Sequence, residues 1–296
     1  MTVRYTHGGD EFIFAEISES MSLAAFFKGM AITRALRERA VPGVTEICPA
    51  NASYQIRYDP ELVDDFLDLV ADMLAILREI EAGIDLDNLR LDTRVIEVPV
   101  LYNDPWTHET LMRFRERHQD PESTDLEYAA RINGFADTDA FIAAHSSAPW
   151  FVSMVGFVAG LPFMFQMVER ERQLEVPKYL RPRTDTPRHT VGHGGCFACI
   201  YSVRGAGGYQ MFGVTPAPIF EPAQRQAHLR DSMVFFRPGD IVKFKPISRA
   251  EYDAAVAEVE AGTFQLDIRP VSFSLSEFMA APEQYNARLL ETLHVA

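Results

Sequence analysis

Apolar and polar positions alternate along EFIFAEI (Glu11 to Ile17), the two-residue period of a half-buried strand. The stretch that follows, SLAAFFKGMAITRALRERA, shifts to helical spacing, with Ser20 and Ser22 available as caps and Pro42-Gly43 ending it. Val44 to Cys48 is a short run, and Tyr54, Ile56 and Tyr58 alternate with Gln55 and Arg57, so two strands are expected after the helix. Pro60 then opens a second amphipathic helix, Glu61 to about Ala82, with Leu62, Phe66, Leu69, Val70, Met73, Leu74 and Leu77 on one side. DTRVIEVPVLY (Asp92 to Tyr102) supplies a further strand. The resulting β-α-β-β-α-β order predicts a ferredoxin-like α+β domain over residues 1–101.

Beyond Tyr102 the punctuation changes. A polar, mainly helical passage runs from Thr107 to about His145. Short apolar runs between Gly and Pro follow: Trp150 to Phe157, Phe197 to Val203, Tyr209 to Val214, Met233 to Phe236, Ile241 to Ile247 and Phe264 to Val271. They predict an all-β barrel or sandwich within residues 102–296, interrupted by a helix from Arg249 to Ala261. Ser146 to Val168 carries no charge and meets the length of about 20 residues that a membrane span needs. Gly156, Gly160 and Pro162 would break such a helix, so two buried strands joined by a turn are expected instead.

A length of 296 residues fits about two domains, and 47% hydrophobic with 24% charged residues is enough to pack them. The formal net charge of −14 repels phosphate backbones and anionic lipid, which argues against nucleic-acid and membrane-surface binding. Three cysteines, Cys48, Cys196 and Cys199, cannot build a disulfide framework, and MTVRYTHGGDEF lacks the pattern of a secretion signal. A cytoplasmic location is the expectation.

Candidate chemistry concentrates between Glu175 and Gln210. Lys178, Arg181, Arg183, Arg188 and Arg204 stand there against only Glu175 and Asp185, a positive island in an acidic chain. Guanidinium groups grip carboxylate or phosphate through two parallel hydrogen bonds, so the island could orient an anionic reactant. Two glycine clusters bracket it, Gly192-His193-Gly194-Gly195 and Gly205-Ala206-Gly207-Gly208. They suit either backbone N–H groups converging on an oxygen ligand or tight turns between strands. Neither matches a Walker A loop or a GxGxxG fingerprint. Cys196, Cys199 and His193 lack a fourth metal ligand, and in a strand the two thiols would face opposite ways. His145 and His193 are the candidate proton carriers, and no Gly-x-Ser-x-Gly elbow supports a serine hydrolase. Asp85, Asp87 and Asp92 read as a solvated linker.

Three ordered motifs carry a family resemblance. PGVTEICPANASYQIRYDP (Pro42 to Pro60) resembles the PGV-x-E-x-x-P…S-x-x-V-x-[YF]-DP signature of the family of allophanate hydrolase subunit 1 and the 5-oxoprolinase B subunit, also called KipI-like. GHGGCFACIYSVRGAGGYQMFGVTP (Gly192 to Pro216) is similar to that family's GG-x-x-x-x-IYP…PGG[WY]Q-x-x-G-[RT]-T block, and FFRPGD (Phe235 to Asp240) with Val242-Lys243-Phe244 to its L-x-PGD-x-V-x-F-x-P segment. Lys178 to Thr184 with Thr186-Pro187 resembles the KY-[NP]-x-R-T-x-TP run of the urea carboxylase branch. ARINGFADTDAFI (Ala130 to Ile142) and GTFQLDIRPVSFSLSEF (Gly262 to Phe278) lean the same way. Two departures stand out: the first proline of GF-x-PGF-x-YL is missing between Gly156 and Met164, and ESPGG is replaced by RGAGG from Arg204 to Gly208.

The resemblance implies a ferredoxin-like N-terminal domain followed by a cyclophilin-like β-barrel. It implies one component of a biotin-dependent carboxyltransferase acting on a urea-type or amide nitrogen, with ATP used at the level of the complex. The alternatives it leaves are the B subunit of an ATP-dependent 5-oxoprolinase-type lactamase and a non-catalytic kinase-inhibitor module. A free-standing cyclophilin-like isomerase is a weaker reading, because the likeness is to a fold. No biotin-attachment sequence of the AMKM type is present, so biotin would arrive on another chain. The implied partners are a protein like allophanate hydrolase subunit 2 or the 5-oxoprolinase C subunit, with biotin carboxylase and a biotin carrier or a LamB/YcsF-like protein. Resemblance and local charge together nominate Lys178, Arg181 and Arg183 as anion holders. Gly194, Gly195, Gly208, Tyr209 and Gln210 would shape the pocket, and His193 would carry a proton.

Overall fold

The structure, a computed structural model, describes residues 2–59, 61 and 66–294. It is a mixed α+β chain whose contacts divide into two compact units: residues up to Leu91 together with Phe273–Ala280, and Asp92–Ser272 together with the chain from Ala281 onward.

In the first unit β1 (Arg4–Gly8), β2 (Phe12–Glu16), α1 (Leu23–Arg39), β3 (Val44–Ala50), β4 (Ser53–Tyr58) and α2 (Phe66–Ala82) follow one another. The strands form one antiparallel sheet in the order β1-β2-β4-β3. Ser22 caps α1, its hydroxyl accepting from the Ala25 N–H at 3.2 Å. The alternation seen in the sequence places Ile13, Ala15, Tyr54 and Ile56 inward, where they pack with Ile32 and Leu36 of α1 and Met73 and Leu77 of α2. Pro60 and Leu62, expected at the start of the second helix, lie outside the described residues, as do the side chains of Phe66, Leu69 and Val70.

The strand expected at Asp92–Tyr102 does form, within β5 (Arg90–Tyr102), but it joins the other sheet. β1 takes the place beside β2 instead, and the compact units part at Leu91 where the pattern had suggested residue 101. The reason is local. β1 and β2 are joined by the Gly9 turn, with Gly9 at φ 66°, so the hairpin partner claims that edge at little entropic cost.

The second unit continues through α3 (Pro105–Phe114), α4 (Asp125–Ile132), α5 (Thr138–Ser147), β6 (Trp150–Val155), β7 (Pro162–Gln166), β8 (Arg183–Thr186), β9 (Thr190–Gly194), β10 (Phe197–Ile200), β11 (Gly205–Gly207), β12 (Gln210–Val214), β13 (Ile241–Pro246), α6 (Arg249–Ala261) and β14 (Asp267–Ser274). The chain ends in α7 (Leu275–Ala280), which belongs to the first unit, and α8 (Pro282–Glu291). The large sheet has the order β12-β9-β10-β7-β6-β13-β5-β14, and β12 pairs a second time, with β5, through Gly213 opposite Tyr102 and Val214 opposite Leu101. Within it Val98, Val152, Met164, Ile200, Phe212 and Phe244 pack around Trp150. Each such large side chain, removed from water, contributes about 1.5–3 kcal/mol.

The uncharged segment from Ser146 to Val168 contains β6 and β7, paired antiparallel with Trp150 opposite Gln166. Among the described residues no helix is long and apolar enough to cross a membrane. Met233–Phe236, expected as a strand, forms only a bridge between Val234 and Phe220. Its backbone is engaged elsewhere: the Arg94 guanidinium donates to the Phe235 carbonyl at 2.6 Å, and the Phe235 N–H donates to Ile219.

Candidate active site

The first glycine cluster is not a turn but a strand. Gly192, His193 and Gly194 belong to β9, and only Gly195, at φ 62°, turns the chain. A side chain at 194 would overlap the ring of Tyr209, and one at 207 would overlap the hydroxyl of Tyr201. The glycines therefore admit two tyrosines into a place where Cβ atoms would otherwise stand. Cys199 and Tyr201, two residues apart, turn to the same side and meet Leu161 and Tyr209 in a small apolar cluster.

This cluster floors a cavity of about 390 Å³. Phe157 and Phe163, from the β6–β7 hairpin, form one wall. Lys178, Tyr179 and Pro182 form another, and Gly207 and Gly208 a third. The Lys178 ammonium lies 5.2 Å from the centre of the Tyr209 ring and has no ion pair among the described residues. A cation over an aromatic face at the rim of an apolar hollow is a ready partner for an anion.

Beneath the Lys178 segment lies a buried polar frame. The Tyr179 hydroxyl donates to Asp125 Oδ1 at 2.6 Å, and the Met211 N–H donates to Asp125 Oδ2 at 2.6 Å. His118 Nε2 donates to Gln210 Oε1 at 2.8 Å, and its Nδ1 lies within hydrogen-bond distance of both the N–H and the carbonyl of Asp120. Gln210 Nε2 in turn donates to the Pro177 carbonyl and to Gln119 Oε1, each at 3.0 Å, and the Gln119 amide donates to the Lys178 carbonyl. With the Tyr179 N–H donating to Gly208 at 2.7 Å, residues 177–179 are held on every side. Burial raises the Asp125 carboxyl above its ordinary range, and Tyr179, Met211, Arg183 and His118 work in the opposite direction. Burial also raises the phenols of Tyr179 and Tyr201, and both remain neutral.

Arg183 is fully buried behind this wall. Its guanidinium carbon sits 4.3 Å from the centre of the Tyr179 ring, and its Nε donates to Thr186 Oγ1 at 3.3 Å. Neither Nη nitrogen has a hydrogen-bond partner among the described residues. Its charge is shared with the buried Asp125 carboxylate, and the open Nη donors leave room for a further anion.

The structure therefore brings Lys178, Gly208 and Tyr209 together around the cavity, with Arg183 behind it, Gln210 beneath it and Gly194 making room for it. It does not bring in the rest. Arg181 is exposed and its side chain makes no hydrogen bond or ion pair among the described residues, and Gly195 lies in the turn that pairs with Val176. His193 is fully buried among Trp150, His145 and Phe212, with Nε2 near the Leu174 and Gly195 carbonyls at 3.1 Å. Burial pushes its pKa down to about 4, even with those carbonyls opposing, so it is neutral near pH 7 and away from the cavity. His145 is likewise buried and held well below the ordinary histidine range. Sequence reading passed over Phe157, Phe163, Tyr179, Tyr201, Asp125 and His118. The first four look like ordinary strand hydrophobics, and the last two lie more than fifty residues before the segment they support. Cys199 is buried on the cavity floor and Cys196 is half-buried.

Comparison with known proteins gives the chain its relatives. The family described as carboxyltransferase domain, subdomain C and D, matches residues 3–230. The chain is 28% identical over 260 residues to the B subunit of 5-oxoprolinase from Bacillus subtilis, covering 86% of this chain and 98% of that one. It is 25% identical over 282 residues to urea amidolyase of Lachancea kluyveri, covering 94% of this chain but 15% of the relative. The crystal structure of Kluyveromyces lactis urea carboxylase superimposes with a TM-score of 0.82 at 22% identity, over 99% of this chain and 26% of that one. The chain thus matches one relative almost end to end and spans only about a quarter or less of the two larger enzymes. With the match running through both compact units, the chain belongs to the carboxyltransferase domain family, subdomain C and D.

Proposed function

We propose that this chain is one component of a biotin-dependent carboxyltransferase that acts on a urea-type or amide nitrogen, and that the cavity bounded by Lys178, Tyr201 and Tyr209 is its reaction chamber. The observation that carries the reading is an aromatic hollow holding an ammonium without an acidic partner, backed by a buried guanidinium whose Nη nitrogens are unanswered. The residues fit a carboxylated biotin: aromatic faces suit a compact bicyclic ring, and the two cations suit a carboxylate. Carried in on another chain, that group supplies an activated carboxyl. Lys178 would hold the carboxylate, Tyr201 and Tyr209 would exclude water, and the charge of Arg183 would favour negative charge developing at the cavity floor. ATP use belongs, in this reading, to other members of the complex.

The architecture supports it at a finer level too. β2-α1-β3-β4-α2 with β1 at the free edge has the strand neighbours of a ferredoxin-like sheet. The second pairing of β12 with β5 returns seven strands to their start, as a cyclophilin-like barrel requires. A companion like allophanate hydrolase subunit 2 or the 5-oxoprolinase C subunit would complete the site, in a cytoplasmic complex.

A second reading has its own support. Because the chain covers 98% of the Bacillus subtilis 5-oxoprolinase B subunit, it could serve an ATP-dependent lactamase with a LamB/YcsF-like protein. Reconstitution separates the two. The chain, its companion, biotin carboxylase and a biotinylated carrier are assayed for ATP- and bicarbonate-dependent consumption of urea, guanidine and 5-oxoproline. Consumption that avidin abolishes supports carboxyl transfer. Avidin-insensitive opening of 5-oxoproline, with a LamB/YcsF-like protein in place of the biotin proteins, supports the lactamase and overturns the first reading.

A further inference from the structure

The positive island of the sequence divides in three dimensions. Lys178 and Arg183 go to the cavity described above, whereas Arg188 and Arg204 face a separate cleft of about 410 Å³. There they meet Arg113 of α3, a residue far away in sequence. One carboxylate serves two of the three cations: Asp185 accepts from Arg204 Nε and Nη2 at 2.6 and 2.7 Å and pairs with Arg113 Nη2 at 2.9 Å. Arg188 has no carboxylate partner among the described residues. Its Nε and Nη2 donate to the Ser202 and Phe220 carbonyls, at 3.1 and 2.6 Å, so its position is fixed; the acid whose charge reaches it is Glu221, which is itself paired with Arg225. Glu109 is the only acid among the described residues lining the cleft, so with Asp185 three guanidinium groups face two carboxylates and the cleft keeps a net positive charge. An aromatic pair completes it. Trp106 is 37% exposed and lies 5.3 Å, centre to centre, from Tyr252 of α6, and the guanidinium of Arg249, paired with Asp253, lies over its ring at 4.9 Å from the centre.

We propose that this cleft is a second ligand site, for an oxyanion carried on a planar ring, an aryl phosphate or aryl carboxylate. Arg188 and Arg204 take the oxyanion with the Nη1 donors that their present partners leave open, because a guanidinium held in place by other bonds keeps donors to spare for a charged oxygen. Trp106 and Tyr252 take the ring on the aromatic surface left exposed beside Arg249, because aromatic groups pack on planar ones at low entropic cost. The acidic chain as a whole repels anions, so the local concentration of guanidinium is what selects the ligand. The inference uses none of the cavity residues and does not depend on the reaction proposed for them.

The chain's own fluorescence tests it. It has two tryptophans, and Trp150 is fully buried, so a quenching ligand reads Trp106. Phenyl phosphate and benzoate are titrated at low salt, with phenol and inorganic phosphate as the ring-only and anion-only probes, the last by competition. The expected result is saturable quenching by at least one aryl anion, at least about tenfold tighter than by phenol or inorganic phosphate. Which of the two aryl anions binds tells a phosphate ligand from a carboxylate. Arg188→Gln and Arg204→Gln should each weaken binding about tenfold, the loss expected for one charge-assisted contact. Arg204 is exposed, so its variant remains informative if Arg188→Gln fails to fold. Lys178→Gln, in the other cavity, should leave this binding intact. Absence of saturable quenching by either aryl anion, equal binding of phenol, unaltered binding by the folded arginine variants, or loss of binding in Lys178→Gln would each overturn the proposal.

Discussion

Arg183 and Lys178 carry charge in opposite settings, and the contrast sets what each substitution does. Lys178 is exposed and its stem lies along Tyr209, so Lys178→Met removes a charge while keeping most of the packing. In the reconstituted complex this should lower kcat/KM by about 10- to 100-fold, the loss of one charge-assisted contact, with an unchanged circular dichroism spectrum. Arg183 is buried with both Nη nitrogens unpartnered among the described residues. Replacing it by Met, of similar reach, should lower activity while stability to urea changes by less than about 1 kcal/mol, since the cost of burying the charge is offset by Asp125 and the Tyr179 ring. A variant that loses stability and keeps activity would show that Arg183 is structural. His193 illustrates the opposite hazard. Its place between glycines suggested chemistry, but its neighbours are aromatic rings, and its low pKa follows from burial among them.

Between elements, the clearest polar tie in the first unit joins the two helices. Lys28 of α1 pairs with Glu81 of α2 at 2.6 Å, and the same carboxylate accepts from the Val3 N–H at 3.0 Å. Burial works against ionising Glu81, but Lys28, Val3 and Tyr5 outweigh it and its pKa is lowered. A lowered carboxylate stabilises the fold above its unfolded pKa and loses that contribution as pH falls through the folded value. Glu81→Gln should therefore cost about 2 kcal/mol near pH 7, with the gap to the parent narrowing below about pH 4.5, measured by urea unfolding at several pH values. In the second unit the β6–β7 hairpin serves the site directly. Its turn carries Phe157 at φ 70° and 71% exposed, a conformation and an exposure that packing alone does not reward. Phe157 is also part of the cavity wall. The hairpin was legible as two strands and a turn because Gly156, Gly160 and Pro162 punctuate an apolar run; that its turn would wall a cavity was not, because the facing residues come from 178–182 and 207–209.

Across the whole molecule the charge of −14 governs what comes near before any site acts. At pH 7 and low salt the chain should bind an anion exchanger and pass through heparin, with the local cations too few to reverse the field. Retention on heparin would show that the arginine clusters dominate instead. The order of residues was enough to give most of the elements and the family: two-residue and helical periods place β2, α1, β4 and α6 almost to the residue, since each depends on neighbours within one or two turns. The three ordered motifs carried the family because spacing along a chain survives when individual residues change. Folding in three dimensions settled that β1 rather than Asp92–Tyr102 would flank β2, that Gly192 to Gly194 would be strand, and that the arginine-rich island would split between two hollows. Those outcomes hang on which distant backbone or ring reaches a position first, such as Tyr209 against Gly194 or Arg113 beside Arg204. Contacts between residues far apart in the chain leave no periodic trace in it.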